Sequence, residues 1–188
     1  LEEMDPDDAA DLLREIGQEK AQTLLALMEP EDAEDVQRLM RYEDYSAGGM
    51  MTTEPIVLTA DSTVAEALSR VRLSEVAPGL ASQVFVCRQP LETPTGRLMG
   101  VVHIQRLLRE PPATLLGSIL DSDIAPLAAE TPLSEVSSYL ASYNLLAVPI
   151  VDANERLLGV VTVDDVLDHL LPENWRQDET KRKESESR

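Results

Sequence analysis

The stretch that decides the fold is AVPIVDANERLLGVVTVDDVLDHLL, residues 147–171. It opens with a short run rich in β-branched residues, and residues 152–155 then supply the Asp and Asn that favour a turn. A second apolar run, residues 157–163, completes a predicted β-hairpin. From Asp164 onward the apolar residues fall at helical spacing. The predicted unit is therefore strand, turn, strand and helix.

The same unit occurs earlier in the chain. Residues 100–106, GVVHIQR, align with residues 159–165, GVVTVDD, at an offset of 59. Each copy is preceded by a further predicted strand and helix, which makes each one a β-α-β-β-α unit. The sequence therefore predicts a duplicated domain, with the first repeat at 54–110 and the second at 111–171.

Local signals predict where the first strand and helix of each repeat begin. Thr63 and Glu66 have the spacing of a capping box, and Thr131 is the predicted cap of the matching helix in the second repeat. Short strands are expected ahead of these caps, at 55–58 and 124–127.

Residues 1–41 are acidic and repetitive. MDPDDAAD at 4–11 recurs as MEPEDAED at 28–35, a period of 24, with proline at a first helical position and acids in the first turn. Such repeats predict short stacked helices, and because one pair cannot bury its own face, we expect the chain to begin within a longer array. Residues 42–53 are interpreted as a connector, and 172–188 as a polar tail.

Composition restricts the possible functions. The 35 acidic and 16 basic residues give a net charge of −19, which disfavours a nucleic-acid partner and attracts cations. The one cysteine, Cys87, cannot form an internal disulfide, so we expect a reducing compartment and a buried thiol. No apolar run reaches the length of a membrane helix. Without a nucleophilic triad, a metal-binding His pair or a phosphate-binding Gly loop, the sequence predicts no enzyme.

The two repeats resemble a tandem CBS pair, named for cystathionine β-synthase, through the signature at 159–165 and its earlier copy. With the acidic helices and the sequence YEDYSAGGMMT at 42–52, the chain resembles the cytosolic region of the MgtE family of magnesium channels. The resemblance implies an α+β fold, in which a short all-helical acidic N-terminal domain precedes a CBS pair of pseudo-twofold symmetry. It also implies a homodimer formed through the CBS repeats, a cytoplasmic location, and a membrane or effector domain outside this chain.

Carboxylates between the helical domain and the CBS pair are the predicted magnesium site. Mg²⁺ prefers oxygen ligands and keeps several waters, so clustered acids can hold it loosely, and without it the acidic surfaces repel each other. The candidates are Glu43, Asp44, Asp164, Asp165 and Asp168, of which the last three can share one side of a helix. The alternative is that these three acids stabilise the helix dipole.

Adenine-nucleotide binding is the second possible function. In CBS pairs the Asp of a Thr-x-x-Asp motif contacts the ribose and the Thr lies near phosphate, which makes Thr162 and Asp165 candidates for holding ATP or AMP. A carboxylate suits a ribose diol because it accepts two hydrogen bonds. His103 and Arg106 stand at the matching places of the first repeat, which lacks that acceptor. A third possibility is a dimerisation scaffold without a ligand, and a regulatory magnesium sensor is the leading prediction.

Overall fold

Three short helices open the chain, and the computed structural model describes residues 4, 6–74 and 76–171. The helices are α1 (Pro6–Glu15), α2 (Gln18–Leu25) and α3 (Pro30–Leu39). As predicted, proline stands at the start of α1 and of α3, where its missing N–H is not needed. Small and aliphatic side chains are buried on the inner face of each helix, so α1 packs against both α2 and α3.

A connector with a largely buried backbone joins these helices to the sheets. Its one-turn helix α4 (Ala47–Met50) begins at Ser46, whose Oγ accepts a hydrogen bond from the N–H of Gly49. A Cβ on Gly49 would lie 2.2 Å from the carbonyl oxygen of Glu43, so this position requires glycine. The N–H at the first residue of α4 donates to the carbonyl of Thr131 over 2.7 Å, which fixes the connector to the second repeat.

The first repeat is a three-stranded sheet with two helices. Its strands are β1 (Val57–Leu58), β2 (Gln83–Cys87) and β3 (Leu98–His103), in that order across the sheet. β1 pairs parallel and β3 antiparallel with β2. α5 (Val64–Val71) starts with the predicted capping box, and α6 (Ile104–Leu107) follows β3 directly.

The second repeat reproduces this arrangement. Its strands β4 (Leu127–Ala128), β5 (Ala147–Val151) and β6 (Leu157–Thr162) have the same order and directions. Its helices are α7 (Leu133–Tyr143) and α8 (Val163–Leu170), and α8 packs on α7. The predicted α+β fold with two β-α-β-β-α repeats is therefore confirmed.

Two segments cover the outer edge of β6. The connector pairs with it through two backbone hydrogen bonds between Thr52 and Val160, at 2.9 and 3.0 Å. The hairpin loop of the first repeat, residues 88–97 between β2 and β3, adds a hydrogen bond of 2.9 Å from Thr95 N to the carbonyl of Leu157. Since unpaired strand edges invite misassembly, this double cover both protects β6 and joins the parts of the chain.

Three apolar clusters form the core. One runs without a break from the helical domain through α4 into the second repeat, and another fills the first repeat. The third lies between the two sheets and includes Phe85, Val101, Leu157 and Val160. The helical domain therefore rests on the second repeat, which places α1 next to α8. None of the helices among the described residues has both the length and the hydropathy of a membrane-spanning segment.

Local details differ from the sequence predictions. The first strands of the repeats are only two residues long, and α8 begins at Val163 rather than Asp164. The predicted cap, Thr131, lies one residue too early: Pro132 directly precedes α7, and its side chain makes no capping hydrogen bond. The carbonyl of Thr131 instead accepts a hydrogen bond from the connector. The predicted polar tail at 172–188 lies outside the described residues.

Candidate functional site

The start of α8 brings two predicted site residues together. Asp165 Oδ2 accepts hydrogen bonds from the backbone N–H and the Oγ1 of Thr162, both at 2.8 Å, as in a capping box. The same hydroxyl lies 3.0 Å from Asp164 Oδ1. Burial raises the pKa of Asp165 to about 6; the bonds from Thr162 oppose this shift, and the carboxylates of Asp164 and Asp8 add to it. Asp8 belongs to α1, so the helical domain contributes negative charge at this point.

Arg14 connects α1 to the connector. Its Nη1 lies 2.7 Å from Asp11 Oδ1, one helical turn earlier, and its Nε lies 3.0 Å from Asp44 Oδ1. Nη2 donates to the carbonyls of Leu39 and Tyr42, at 2.9 and 3.3 Å. The arginine side chain is 15% exposed, whereas those of Asp11 and Asp44 are 42% and 57% exposed, so solvent partly screens both ion pairs.

His169 connects α8 to the same group. Its Nδ1 lies 2.9 Å from the carbonyl oxygen of Asp165, and its Nε2 lies 3.9 Å from Asp11 Oδ2. Its ring lies nearly perpendicular to that of Tyr45 in the connector, with ring centroids 5.7 Å apart. Burial raises the pKa of Asp11, His169 and Arg14 oppose that shift, and Asp44 adds to it.

We call the meeting place of α1, the connector and α8 the acidic seam. Among the described residues it contains five carboxylates and two basic groups: Asp8, Asp11, Asp44, Asp164, Asp165, Arg14 and His169. Within the described ranges, no three Asp, Glu, His or Cys side chains converge tightly enough to form a metal cage. The arrangement suits an ion that keeps its own waters better than one that needs many protein ligands.

The predicted metal ligands are distributed unevenly over this seam. Asp164 and Asp165 lie side by side at the start of α8, and Asp44 reaches the seam through Arg14. Glu43 is exposed on the connector, where its carbonyl accepts hydrogen bonds from Ser46, and Asp168 is half-buried on α8.

The sequence did not predict the contributions of α1 and of His169 to the acidic seam. Acids in the first turn of α1 were the available signal, but nothing local indicated which element they face.

The first repeat has an open cleft at the place equivalent to Thr162 and Asp165. A cavity of about 600 Å³ lies between the end of β3, α6 and residues 118–123, and it is lined by His103, Arg106, Arg109, Asp121 and Asp123, among others. Arg106 Nε is held by Glu110 at 2.8 Å, and His103 Nε2 lies 3.9 Å from Asp121.

In the second repeat the corresponding place is covered. A Cβ on Gly79 would lie 2.9 Å from Asp164 Oδ1 and 3.2 Å from Thr162 Cβ, so the chain at Gly79 packs directly on these residues. Thr162 is 3% exposed. Thr162 and Asp165, the predicted nucleotide contacts, are therefore bonded to each other and covered by the chain at Gly79. The open cleft lies in the first repeat instead.

Comparison with known proteins follows the same division of the chain. The model of the MgtE intracellular N domain matches residues 1–45, and the CBS domain model matches residues 43–113 and 116–172. Magnesium transporter MgtE of Thermus thermophilus is 34% identical over 167 residues, which are 87% of this chain and 36% of that protein. The chain spans about a third of the length of the curated MgtE relatives that it matches.

Two solved structures share both the helical domain and the repeats. The soluble part of a magnesium transporter superposes with a TM-score of 0.80 at 31% identity, over 89% of this chain and 63% of that one. The cytosolic domain of the Mg²⁺ channel MgtE in complex with ATP gives a TM-score of 0.78 at 32% identity, over 88% and 66% of the two chains.

Proposed function

Because the chain belongs to the CBS-domain family and carries an MgtE intracellular N domain ahead of its CBS pair, we propose that it is the magnesium-sensing regulatory part of a magnesium transporter. In this proposal the chain catalyses no reaction and works in the cytoplasm. It reports the magnesium level to a membrane or effector domain beyond its own sequence.

The acidic seam is the observation that carries the proposal. Five carboxylates from three elements share the seam with one arginine and one histidine, so the seam keeps an excess of negative charge. At separations near 4 Å, like charges repel by about 1 kcal/mol in water and about 4 kcal/mol near a protein surface. Without a cation this repulsion favours separation of the helical domain from α8.

A hydrated Mg²⁺ reverses that balance. It needs only one or two carboxylates as direct ligands and can reach the others through its waters, which fits a seam without a preformed cage. The proposed ligands are Glu43, Asp44, Asp164, Asp165 and Asp168, assisted by the acids of α1. Binding would draw α1, the connector and α8 together, and that change of arrangement is the signal.

Small-angle X-ray scattering tests this proposal. The radius of gyration is measured in EDTA and during titration with MgCl₂ to about 20 mM, a range suited to weak carboxylate sites. NaCl at matched ionic strength is the control for simple screening. We expect MgCl₂ to compact the protein more than NaCl does. Equal effects of the two salts, or none, would contradict magnesium sensing.

A pair of matched variants locates the effect. Asp164→Asn removes one exposed carboxylate of the seam, whereas Asp61→Asn removes an exposed carboxylate on the first repeat. The Asp164 variant should lose part of the compaction by MgCl₂, and the Asp61 variant should keep all of it. Equal losses in both would indicate general charge neutralisation instead of a site.

We further propose that two copies of the chain associate through the CBS helices. Leu108 and Leu167 occupy equivalent places in the two repeats, 59 residues apart, and are 67% and 48% exposed. Their neighbours Leu107 and Val166 are buried. The same apolar position is therefore turned outward twice, which supports a homodimer that covers it.

Adenine-nucleotide binding is the second candidate, and the open cleft of the first repeat favours it. Arg106 and Arg109 could meet phosphates there, and Asp121 or Asp123 could accept hydrogen bonds from a ribose. A similar cytosolic domain has been solved in complex with ATP. Calorimetry with ATP and with AMP should show binding to the wild type and weaker binding to Arg109→Gln. A dimer that binds neither nucleotide nor Mg²⁺ would instead support a scaffold.

A further inference from the structure

The 24-residue repeat of the helical domain carries a second, unexplained pattern. Asp11 and Arg14 of α1 recur as Asp35 and Arg38 of α3, each pair one helical turn apart. In both helices the arginine pairs with its own aspartate, and in both it also reaches beyond the helix to another part of the chain. A feature that recurs at equivalent places and makes long-range contacts twice indicates a role in docking the domain.

Arg38 docks α3 on the first repeat through backbone and hydroxyl groups, in addition to its ion pair with Asp35. Its Nη1 donates to the carbonyl of Thr93, in the hairpin loop, over 3.2 Å. Thr93 Oγ1 donates to the carbonyl of Thr53 over 3.0 Å, and Thr53 Oγ1 donates to Asp35 Oδ2 over 3.1 Å. This closed network of hydrogen bonds has no excess charge for a metal ion to neutralise.

Arg14 is different because it lies between carboxylates of two elements. It contacts Asp11 of α1 at 2.7 Å and Asp44 of the connector at 3.0 Å, and Asp11 in turn faces His169 of α8. The remaining carboxylates of the acidic seam, Asp8, Asp164 and Asp165, act on one another at the start of α8. A guanidinium stays protonated at any physiological pH, and its fork of donors suits carboxylates. Arg14 therefore lies between Asp11 and Asp44, whose negative charges repel each other.

We propose that Arg14 is a built-in cation of the acidic seam, which holds the helical domain against the connector in the absence of metal. The proposal rests on the proposed function, since it states how the seam behaves before magnesium binds. A tethered cation is present at constant local concentration, so it sets a partly closed resting state. A divalent ion then adds to the closure instead of producing all of it.

The neutralisation of Asp44 distinguishes this proposal from repulsion alone. If the seam is governed only by like charges, Asp44→Asn removes one of them and the protein becomes more compact in EDTA. If Asp44 is the partner of Arg14, the same change removes an attraction and the protein expands. Asp44 is more than half exposed in its pair, so the variant is expected to fold.

Scattering in EDTA and in MgCl₂ on four variants completes the test. We expect Arg14→Gln and Asp44→Asn to have larger radii of gyration than the wild type in EDTA. Saturating MgCl₂ should return Arg14→Gln to the wild-type value, so its change on adding metal exceeds that of the wild type. Arg14→Lys, which keeps the charge, should lie closer to the wild type. Circular dichroism confirms that each variant is folded.

Arg38→Gln is the matched control, because it is the same substitution at the same place of the repeat. Any expansion it causes should not be reversed by MgCl₂. Compaction of Asp44→Asn in EDTA or an unchanged Arg14→Gln would overturn the proposal. So would an Arg14→Gln that MgCl₂ fails to restore, provided that the wild type itself responds to MgCl₂. A wild type that ignores MgCl₂ contradicts the magnesium sensor, whereas the comparison of Arg14→Gln with the wild type in EDTA still decides the role of Arg14.

Discussion

Asp165 has two opposing roles at the residue scale. Thr162 is the N-cap of α8, and the Asp165 carboxylate completes the capping box by accepting hydrogen bonds from the backbone N–H and Oγ1 of Thr162. An N-cap residue contributes about 1 kcal/mol to a helix. The same carboxylate is half-buried beside Asp164 and Asp8, where its charge is costly. The geometry of the cap therefore keeps a carboxylate in a place where a nearby cation would relieve it.

The pH dependence of stability should report this cost. Because the pKa of Asp165 is raised from 3.8 to about 6, the folded state binds its proton more tightly than the unfolded state does. Its contribution to stability is therefore present at low pH and is lost as the pH rises from about 4 to 6, by about 3 kcal/mol at most. Asp165→Asn keeps an acceptor for Thr162 without the charge. In EDTA it should match the wild type at pH 4 and be more stable at pH 7.5 by about 1–3 kcal/mol.

Glu66 provides the control, because its pKa shift has the opposite sign to that of Asp165. The free energy of unfolding of each variant is measured in urea at each pH. Glu66 closes the capping box of α5 in full exposure to solvent, and hydrogen bonds from the backbone and side chain of Thr63 lower its pKa. Glu66→Gln should therefore lose stability relative to the wild type at neutral pH and approach it as the pH falls below 4.5. If Asp165→Asn followed the same trend, burial would not be what governs Asp165.

Cys87 should be inert in the folded protein. The residue is 1% exposed, and burial raises the pKa of its thiol to about 11, against a small opposing effect of a hydrogen bond with Thr95. At pH 7.5 only roughly one thiol in three thousand is ionised by that pKa. We expect no reaction with a disulfide reagent in native buffer and one equivalent of reaction in denaturant. Rapid labelling of the native protein would contradict the buried position.

At the scale of elements, the joint between the connector and β6 holds the parts of the chain together. Gly159 makes it possible, because a Cβ there would lie 2.4 Å from the carbonyl oxygen of Thr52 and 3.0 Å from the sulfur of Met51. Both backbone bonds between Thr52 and Val160 depend on that close approach. A side chain at position 159 would have to displace the connector backbone.

Gly159→Ala should therefore be strongly destabilising, by about 2–4 kcal/mol in urea unfolding. Gly17→Ala is the control, because a Cβ at Gly17 meets nothing within 4 Å, while its φ of 86° makes alanine strained. With its ψ of 152°, this backbone conformation is adopted almost only by glycine, and the strain alone costs about 1–3 kcal/mol. A Gly159 variant no less stable than the Gly17 variant would show that the connector can leave β6 at little cost.

The elements were predicted well because their signals are local and occur twice. The hairpin, the strand-to-helix signature and the capping box at Thr63 each depend on residues within about ten positions, and the second copy supported the first. The seam was predicted only in part, because its contacts join distant positions: Arg14 meets Asp44, and Asp11 meets His169. Charge alone could suggest where acids are numerous, but only packing of α1 on the second repeat decides which of them face each other.

At the scale of the whole molecule, the excess of negative charge and the exposed apolar positions act in opposite directions. A net charge of −19 on 188 residues makes two copies repel each other, and screening by salt weakens that repulsion. Burial of exposed leucines favours association and is almost independent of salt. A homodimer through the CBS helices should therefore become tighter as ionic strength rises.

Substitution of the equivalent leucines tests the homodimer. Since Leu108 and Leu167 are the exposed apolar residues at matching places of the repeats, Leu108→Asp/Leu167→Asp should give monomers by adding charge to the buried face. Leu27→Asp is the matched control, because Leu27 is 74% exposed but belongs to the helical domain. Light scattering coupled to gel filtration should give about twice 20.7 kDa for the wild type and the Leu27 variant, and 20.7 kDa for the double variant. A monomeric wild type at micromolar concentration and moderate salt, or a double variant that stays dimeric, would show that this face does not join two copies.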